Sequence, residues 1–101
     1  MQIEKTKFEG VFILNTKIHT DERGYFAETY KQEFLNKHIK KINFIQHNES
    51  MSKIGGLRGL HFQKAPYQQS KLVRVVKGLV QDVIVDLRKD SPTFGKHESF
   101  F

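Results

Sequence analysis

Gly56-Leu57-Arg58-Gly59-Leu60-His61-Phe62-Gln63 is the stretch whose reading decides the rest. Apolar and polar residues alternate through it as in a strand, and it sets an arginine and a histidine among leucines and a phenylalanine. Side chains of a strand alternate between its faces. Arg58 and His61, an odd number of residues apart, therefore fall on opposite faces unless a bulge at Gly59 re-aims one of them, which glycine permits. With such a bulge Leu57 and Leu60 anchor the strand in the core, while Arg58 and His61 share one cavity. The plainer alternative is a half-buried strand with a solvent-facing arginine and a core histidine satisfied by a backbone carbonyl.

Working outward, Ile42 to Ser50 reads as a strand with Phe44, Gln46 and Asn48 on one face. Two carboxamides behind a phenylalanine suit either a polar lining inside a concave sheet, since each both donates and accepts, or a solvated edge. Lys53-Ile54-Gly55-Gly56 turns the chain into the central octapeptide, and Lys64 to Ser70 is a loop marked by Pro66. Beyond it, Lys71–Lys77 and Leu79–Arg88 read as β-branched strands hinged at Gly78, hence as a hairpin. Ser91-Pro92-Thr93-Phe94-Gly95 is a turn before a last strand from Lys96.

Towards the N-terminus, Val11-Phe12-Ile13-Leu14 suits a buried strand. Asp21-Glu22-Arg23-Gly24 supplies a turn into an aromatic strand, Tyr25 to Tyr30, whose alternation puts Phe26, Glu28 and Tyr30 on one face. Glu28 there is either an exposed charge or an acceptor in a pocket that stacks a planar ring. Gln32 to Ile39 is the one convincing helix, with Phe34, Leu35, His38 and Ile39 at one-face spacing and His38 at its surface. Short strands, short turns and one short helix predict a mainly β antiparallel sandwich or barrel in a single domain, residues 1–101.

The 101 residues suffice for one core, and 38% hydrophobic residues with nine phenylalanines indicate a folded chain. A formal charge of +6 suits nucleic acid, an anionic membrane or a small anionic ligand. The lysines are scattered among acids, with only Lys40-Lys41 adjacent, so no basic stripe emerges and a phosphate-bearing small molecule ranks first. Without cysteine there is no disulfide chemistry. No apolar run approaches a membrane span, and Met1 to Lys5 opens no signal peptide. A cytoplasmic protein is expected.

Metal chemistry fits poorly, because His19, His38, His47, His61 and His97 have no ligand-like pairing. Phosphate-loop and dinucleotide glycine patterns are missing too. No cofactor is expected. His61 can act as a general base at neutral pH, and Lys71 can steady an oxyanion or enolate with a fixed positive charge. Together they suit removal of a proton next to a carbonyl, with Arg23 and Arg58 gripping phosphate oxygens through forked hydrogen bonds.

Arg23-Gly24-Tyr25-Phe26-Ala27-Glu28, Phe44-Ile45-Gln46-His47-Asn48, Leu57 to Gln63, Lys71-Leu72-Val73-Arg74, Asp82 to Arg88 and Ser91 to Gly95 stand in the order and spacing of one known family. Across nearly its whole length the chain resembles the dTDP-4-dehydrorhamnose 3,5-epimerases. The resemblance implies a metal-free, cupin-like β-jelly roll that binds a deoxythymidine-diphospho 4-keto sugar, in a pathway towards rhamnose or a related deoxysugar for surface polysaccharide. It casts His61 as the base that removes the protons at sugar carbons 3 and 5, and Lys71 as the group that steadies the enolate. It places Arg23, Arg58, Gln46 and Asn48 in the nucleotide and sugar site, and Phe26 and Glu28 near the thymidine end. It also implies a homodimer with strand exchange.

Family members run on for about as much again of jelly roll, which carries a tyrosine acid, an aspartate that orients the base and a further histidine. The chain is therefore expected to correspond to an N-terminal portion that is stable only as an oligomer, with Asp82 and Asp86 structural. Two kinds of alternative remain open. One is a related mono-epimerase or 3,4-ketoisomerase of nucleotide sugars. The other is a non-catalytic module that binds dTDP-sugars or merely dimerises, with a nucleic-acid-binding β-barrel more distant.

Overall fold

The computed structural model describes residues 1–101 and contains six short strands and one helix. The strands form three separate antiparallel ribbons of two strands each. The chain divides into two compact units, Met1–Lys31 with Arg74–Phe101, and Gln32–Val73.

In the first unit β1 (Gln2–Lys5) pairs with β2 (Phe12–Asn15), with Ile3 opposite Leu14 and Lys5 opposite Phe12. The apolar run expected at 11–14 is thus a strand shifted by one residue, and it is half-buried rather than buried because a two-stranded ribbon covers its side chains incompletely. The loop between these strands builds the core. Thr6 Oγ1 accepts from the Phe8 amide at 3.1 Å and lies 2.9 Å from the Val11 carbonyl, closing the loop on itself. Phe8 is thereby turned inward and is only 2% exposed. Its neighbours are tied down as well: Lys7 Nζ donates to the His97 carbonyl at 2.9 Å, and Arg88 Nη1 donates to the Glu9 carbonyl at 2.8 Å.

The second ribbon joins β3 (Ile18–Asp21) to β4 (Gly24–Ala27), with His19 opposite Phe26 and Asp21 opposite Gly24. The turn expected at 21–24 is present. Primed hairpin turns need positive φ in the loop, and no non-glycine residue has it. Asp21 Oδ1 instead accepts from the Arg23 amide at 2.8 Å, an Asx-type closure, and Gly24 takes φ 133°. β4 ends at Ala27, so the alternation expected through Glu28 and Tyr30 does not continue as a strand.

In the third ribbon β5 (Asp82–Val85) pairs with β6 (His97–Phe100), Asp82 opposite Phe100 and Val85 opposite His97. This corrects the hairpin expected at Gly78. The partner of residues 82–85 lies downstream, across a turn that Asp86 organises, rather than upstream at 71–77. Buried Asp86 accepts from Arg88 Nε at 2.9 Å and Nη2 at 3.0 Å, from Ser91 Oγ at 2.6 Å and from Thr93 Oγ1 at 2.6 Å. Its own amide donates to the Lys96 carbonyl at 3.0 Å, and the Gly95 amide donates to its carbonyl at 2.8 Å. The Arg88 amide adds a fifth donor at 3.0 Å, and together they hold the carboxylate's pKa far below the usual range, chiefly through the Arg88 side chain and then Ser91 and Thr93.

The second unit contains α1 (Gln32–His38), which ends one residue before the expected Ile39. Leu35 is its buried residue, Phe34 and Ile39 are half-buried, and His38 is exposed, its ring stacked on Phe34 at 4.3 Å. Asn36 Oδ1 accepts from the Ile42 amide at 2.9 Å and so folds the chain back after the helix. The turn expected at 53–56 closes with the Gly56 amide donating to the Lys53 carbonyl at 2.9 Å. The strands expected at 42–50, 56–63 and 71–77 belong to no ladder. An extended segment becomes a strand only when another backbone satisfies its N–H and C=O groups in a ladder, and no ladder forms along these segments within this chain.

Candidate active site

Three candidate residues stand on the first unit. Arg23 occupies the β3–β4 turn, Phe26 lies on β4 and Glu28 follows it; all are exposed. Asp21 and His19 are two apart on β3, and His19 pairs with Phe26, so Asp21 shares a sheet face with both rings. The two rings lie 6.5 Å apart. An open depression of about 500 Å³ runs along this hairpin, lined by His19, Thr20, Asp21, Arg23, Tyr25 and Phe26 among others. It therefore combines an aromatic face with a guanidinium.

Arg23 is not a loose side chain. Its Nη2 donates to Asp21 Oδ2 at 2.6 Å and its Nε to the same oxygen at 3.2 Å. The hydrogen bond from Arg23 lowers the Asp21 pKa, and the same contact raises that of Arg23. Nη1 is left outside this fork. Sequence reasoning assigned Asp21 only to a turn; the signal that could have singled it out is its spacing, an aspartate two residues before an arginine ahead of a glycine.

The other five candidates, Gln46, Asn48, Arg58, His61 and Lys71, stand on the second unit and all are exposed. Arg58 Nε donates to Ser52 Oγ at 2.9 Å and Nη2 to the Met51 carbonyl at 3.1 Å, so the 53–56 turn folds the preceding residues onto the arginine. These partners are neutral, so the full charge of Arg58 remains available to an anion, whereas that of Arg23 is partly compensated by Asp21. Ser52 was not among the residues singled out from sequence.

Gly59 takes φ 131°, a conformation open to glycine and rarely to other residues. Residues 56–63 belong to no ladder, so the bulged strand expected there is not formed within this chain. The core anchoring expected of its neighbours does not occur: Leu57 is 93% and Leu60 74% exposed, and His61 is exposed rather than a core histidine bound to a carbonyl. With no facing strand, nothing covers these side chains within the chain. Among the histidines, cysteines and acids no group of three is placed to hold a metal ion.

A model of the dTDP-4-dehydrorhamnose 3,5-epimerases matches residues 5–101. The chain belongs to this family. It is 50% identical over 97 residues to the dTDP-4-dehydrorhamnose 3,5-epimerase of Shigella flexneri, a match covering 95% of this chain and 54% of that protein. It is 49% identical over 92 residues to the corresponding enzyme of Methanothermobacter thermautotrophicus, covering 91% of this chain and 49% of that one. Among solved structures, that of the Bacillus anthracis epimerase with TDP and PPi bound superposes with a TM-score of 0.92 at 41% identity, over 98% of this chain and 57% of that one. The Elizabethkingia anophelis epimerase superposes at 0.90 and 42% identity, over 99% and 55%.

This epimerase-family chain spans about half the length of the curated relatives it matches. The mainly β, cupin-like jelly-roll class expected from sequence is thus the fold of its structural relatives, and the family is one of isomerases.

Proposed function

We propose that this chain takes part in 3,5-epimerisation of dTDP-4-keto-6-deoxyglucose, as a portion of a dTDP-4-dehydrorhamnose 3,5-epimerase working in the cytoplasm towards a rhamnose-type deoxysugar for surface polysaccharide. The observation that carries this reading is the superposition, at 41% identity, on an epimerase that holds TDP and PPi. His61 removes the protons at carbons 3 and 5, which the adjacent C4 ketone acidifies. Lys71 stabilises the enolate oxygen that forms as each proton leaves. Arg58 and Arg23 bind the diphosphate oxygens, Gln46 and Asn48 hydrogen-bond the sugar, and Phe26 and Glu28 receive the thymidine end.

A homodimer with strand exchange belongs to the same reading. It is supported by the exposed apolar side chains on backbone outside any ladder, Ile45, Ile54, Leu57, Leu60 and Phe62 among them.

Solvent-deuterium incorporation into dTDP-4-keto-6-deoxyglucose, followed by NMR, tests the chemistry. Exchange at carbons 3 and 5 that His61→Ala reduces by at least about 100-fold, the lower end of a general base's contribution, is the expected result. Exchange at a single carbon would mark a mono-epimerase instead. Exchange indifferent to His61 would remove it from the role of base.

A further inference from the structure

The geometry points to Asp21 as a positioning residue that holds the Arg23 guanidinium ready for a diphosphate at the β3–β4 turn. This inference rests on the nucleotide-site reading above and adds to it a residue that the sequence treats as part of a turn.

Four features place Asp21 in that role. Its carboxylate makes two sets of contacts: Oδ1 accepts the Arg23 amide at 2.8 Å and closes the turn, with Nε also at 3.4 Å, while Oδ2 takes Nη2 at 2.6 Å and Nε at 3.2 Å. The contact uses the Nε/Nη2 side of the guanidinium, so the Nη1 side, with the other edge of the fork, is left for an incoming anion. Arg23 is also otherwise in water, its side chain 85% exposed, so without Asp21 it would be a long flexible chain on a hairpin tip. Arg23 lines the same depression as Phe26, which places a cation and a ring where a diphosphate and an attached base could both be met.

An adjacent carboxylate also repels a phosphate, and the two effects must be compared. For charges about 6.5 Å apart in water, removing that repulsion tightens binding by about threefold per ligand charge, and screening at about 0.15 M salt cuts this to about 1.6-fold. Immobilising a rotamer-rich side chain on binding costs about 2- to 12-fold in affinity. For the roughly three charges of dTDP the screened repulsion compounds to about fourfold, so positioning outweighs it at physiological salt over the upper part of its range.

Asp21→Asn removes the shorter guanidinium contacts, those to Oδ2. Asparagine keeps an oxygen for the Arg23 amide, and so the turn, but it replaces the carboxylate that receives the guanidinium. Titration calorimetry of the 101-residue chain with dTDP, at fixed protein concentration and about 0.15 M salt, is expected to show a net weakening of up to about threefold for Asp21→Asn, the positioning cost less the relieved repulsion. Cross-strand amide contacts between Thr20 and Tyr25 should persist in NMR spectra. In an Arg23→Ala background the same change should no longer weaken binding and should tighten it by the relieved repulsion alone, which a general loosening of the hairpin would not produce. Unchanged or tighter binding by Asp21→Asn, or equal weakening without Arg23, overturns the role while leaving the nucleotide site in place. Failure of the unaltered chain to bind dTDP removes both the site and the role.

Discussion

Replacing Phe8 with alanine tests the account of how the first unit is held together. Phe8 is 2% exposed, and Phe→Ala at such sites costs about 3–5 kcal/mol from lost transfer energy and the cavity left behind. The upper part of that range is expected, because the backbone on both sides is fixed. The Phe8 amide donates to Thr6 Oγ1, its carbonyl accepts from the Val11 amide at 3.2 Å, and the Glu9 carbonyl is held by Arg88, so the loop cannot sink into the void. A domain of this size has only about 5–15 kcal/mol in total. At about 4–8 °C per kcal/mol for a small domain, a loss in the upper part of that range should lower the midpoint by roughly 16–40 °C, or the chain should fail to fold. Urea and thermal unfolding followed by far-UV circular dichroism measure this, with Phe8→Leu as the control expected to cost under about 1.5 kcal/mol. A loss below about 1 kcal/mol for Phe8→Ala, at unchanged denaturant slope, would show that Phe8 is not the anchor described above.

Asp86→Asn should destabilise the β5–β6 turn, because an amide would place donors against Arg88, Ser91 and Thr93. The folded pKa of Asp86 is depressed, so its contribution is complete above the unfolded value of about 3.9 and is lost as pH falls below it. Acid unfolding curves should therefore show a smaller drop in stability below pH about 4 for Asp86→Asn than for the unaltered chain; equal slopes would contradict the turn chemistry. Sedimentation velocity across a dilution series should show self-association, and a well-folded monomer at low concentration would refute the dimer reading.

Locally determined features were legible in the sequence. The 21–24, 53–56 and 91–95 turns, the apolar strand near 12–15 and the helix from Gln32 each depend on residues a few positions apart. Strands that depend on distant partners were not. Residues 56–63 alternate correctly yet lie in no ladder, and residues 82–85 pair with 97–100 rather than with 71–77, because alternation describes a strand's faces and not what bonds to its edges. At the candidate site the types and order of Arg23, Arg58, His61 and Lys71 were readable. The groups that hold the two arginines were not, since Asp21 and Ser52 act through turn geometry. The buried state of Asp86 was anticipated only as a structural role, without the five donors that define it.

The backbone outside any ladder between Ile42 and Lys77 carries Gln46, Asn48, Arg58, His61 and Lys71. Fixing such backbone costs about 1–2 kcal/mol per residue, which a facing sheet normally offsets. If that sheet comes from a second chain, nucleotide binding and association draw on the same ordering step. Thermodynamic linkage then requires that each promotes the other by the same factor. Apparent nucleotide affinity becomes a function of chain concentration, and added nucleotide should shift the association equilibrium as surely as added protein does.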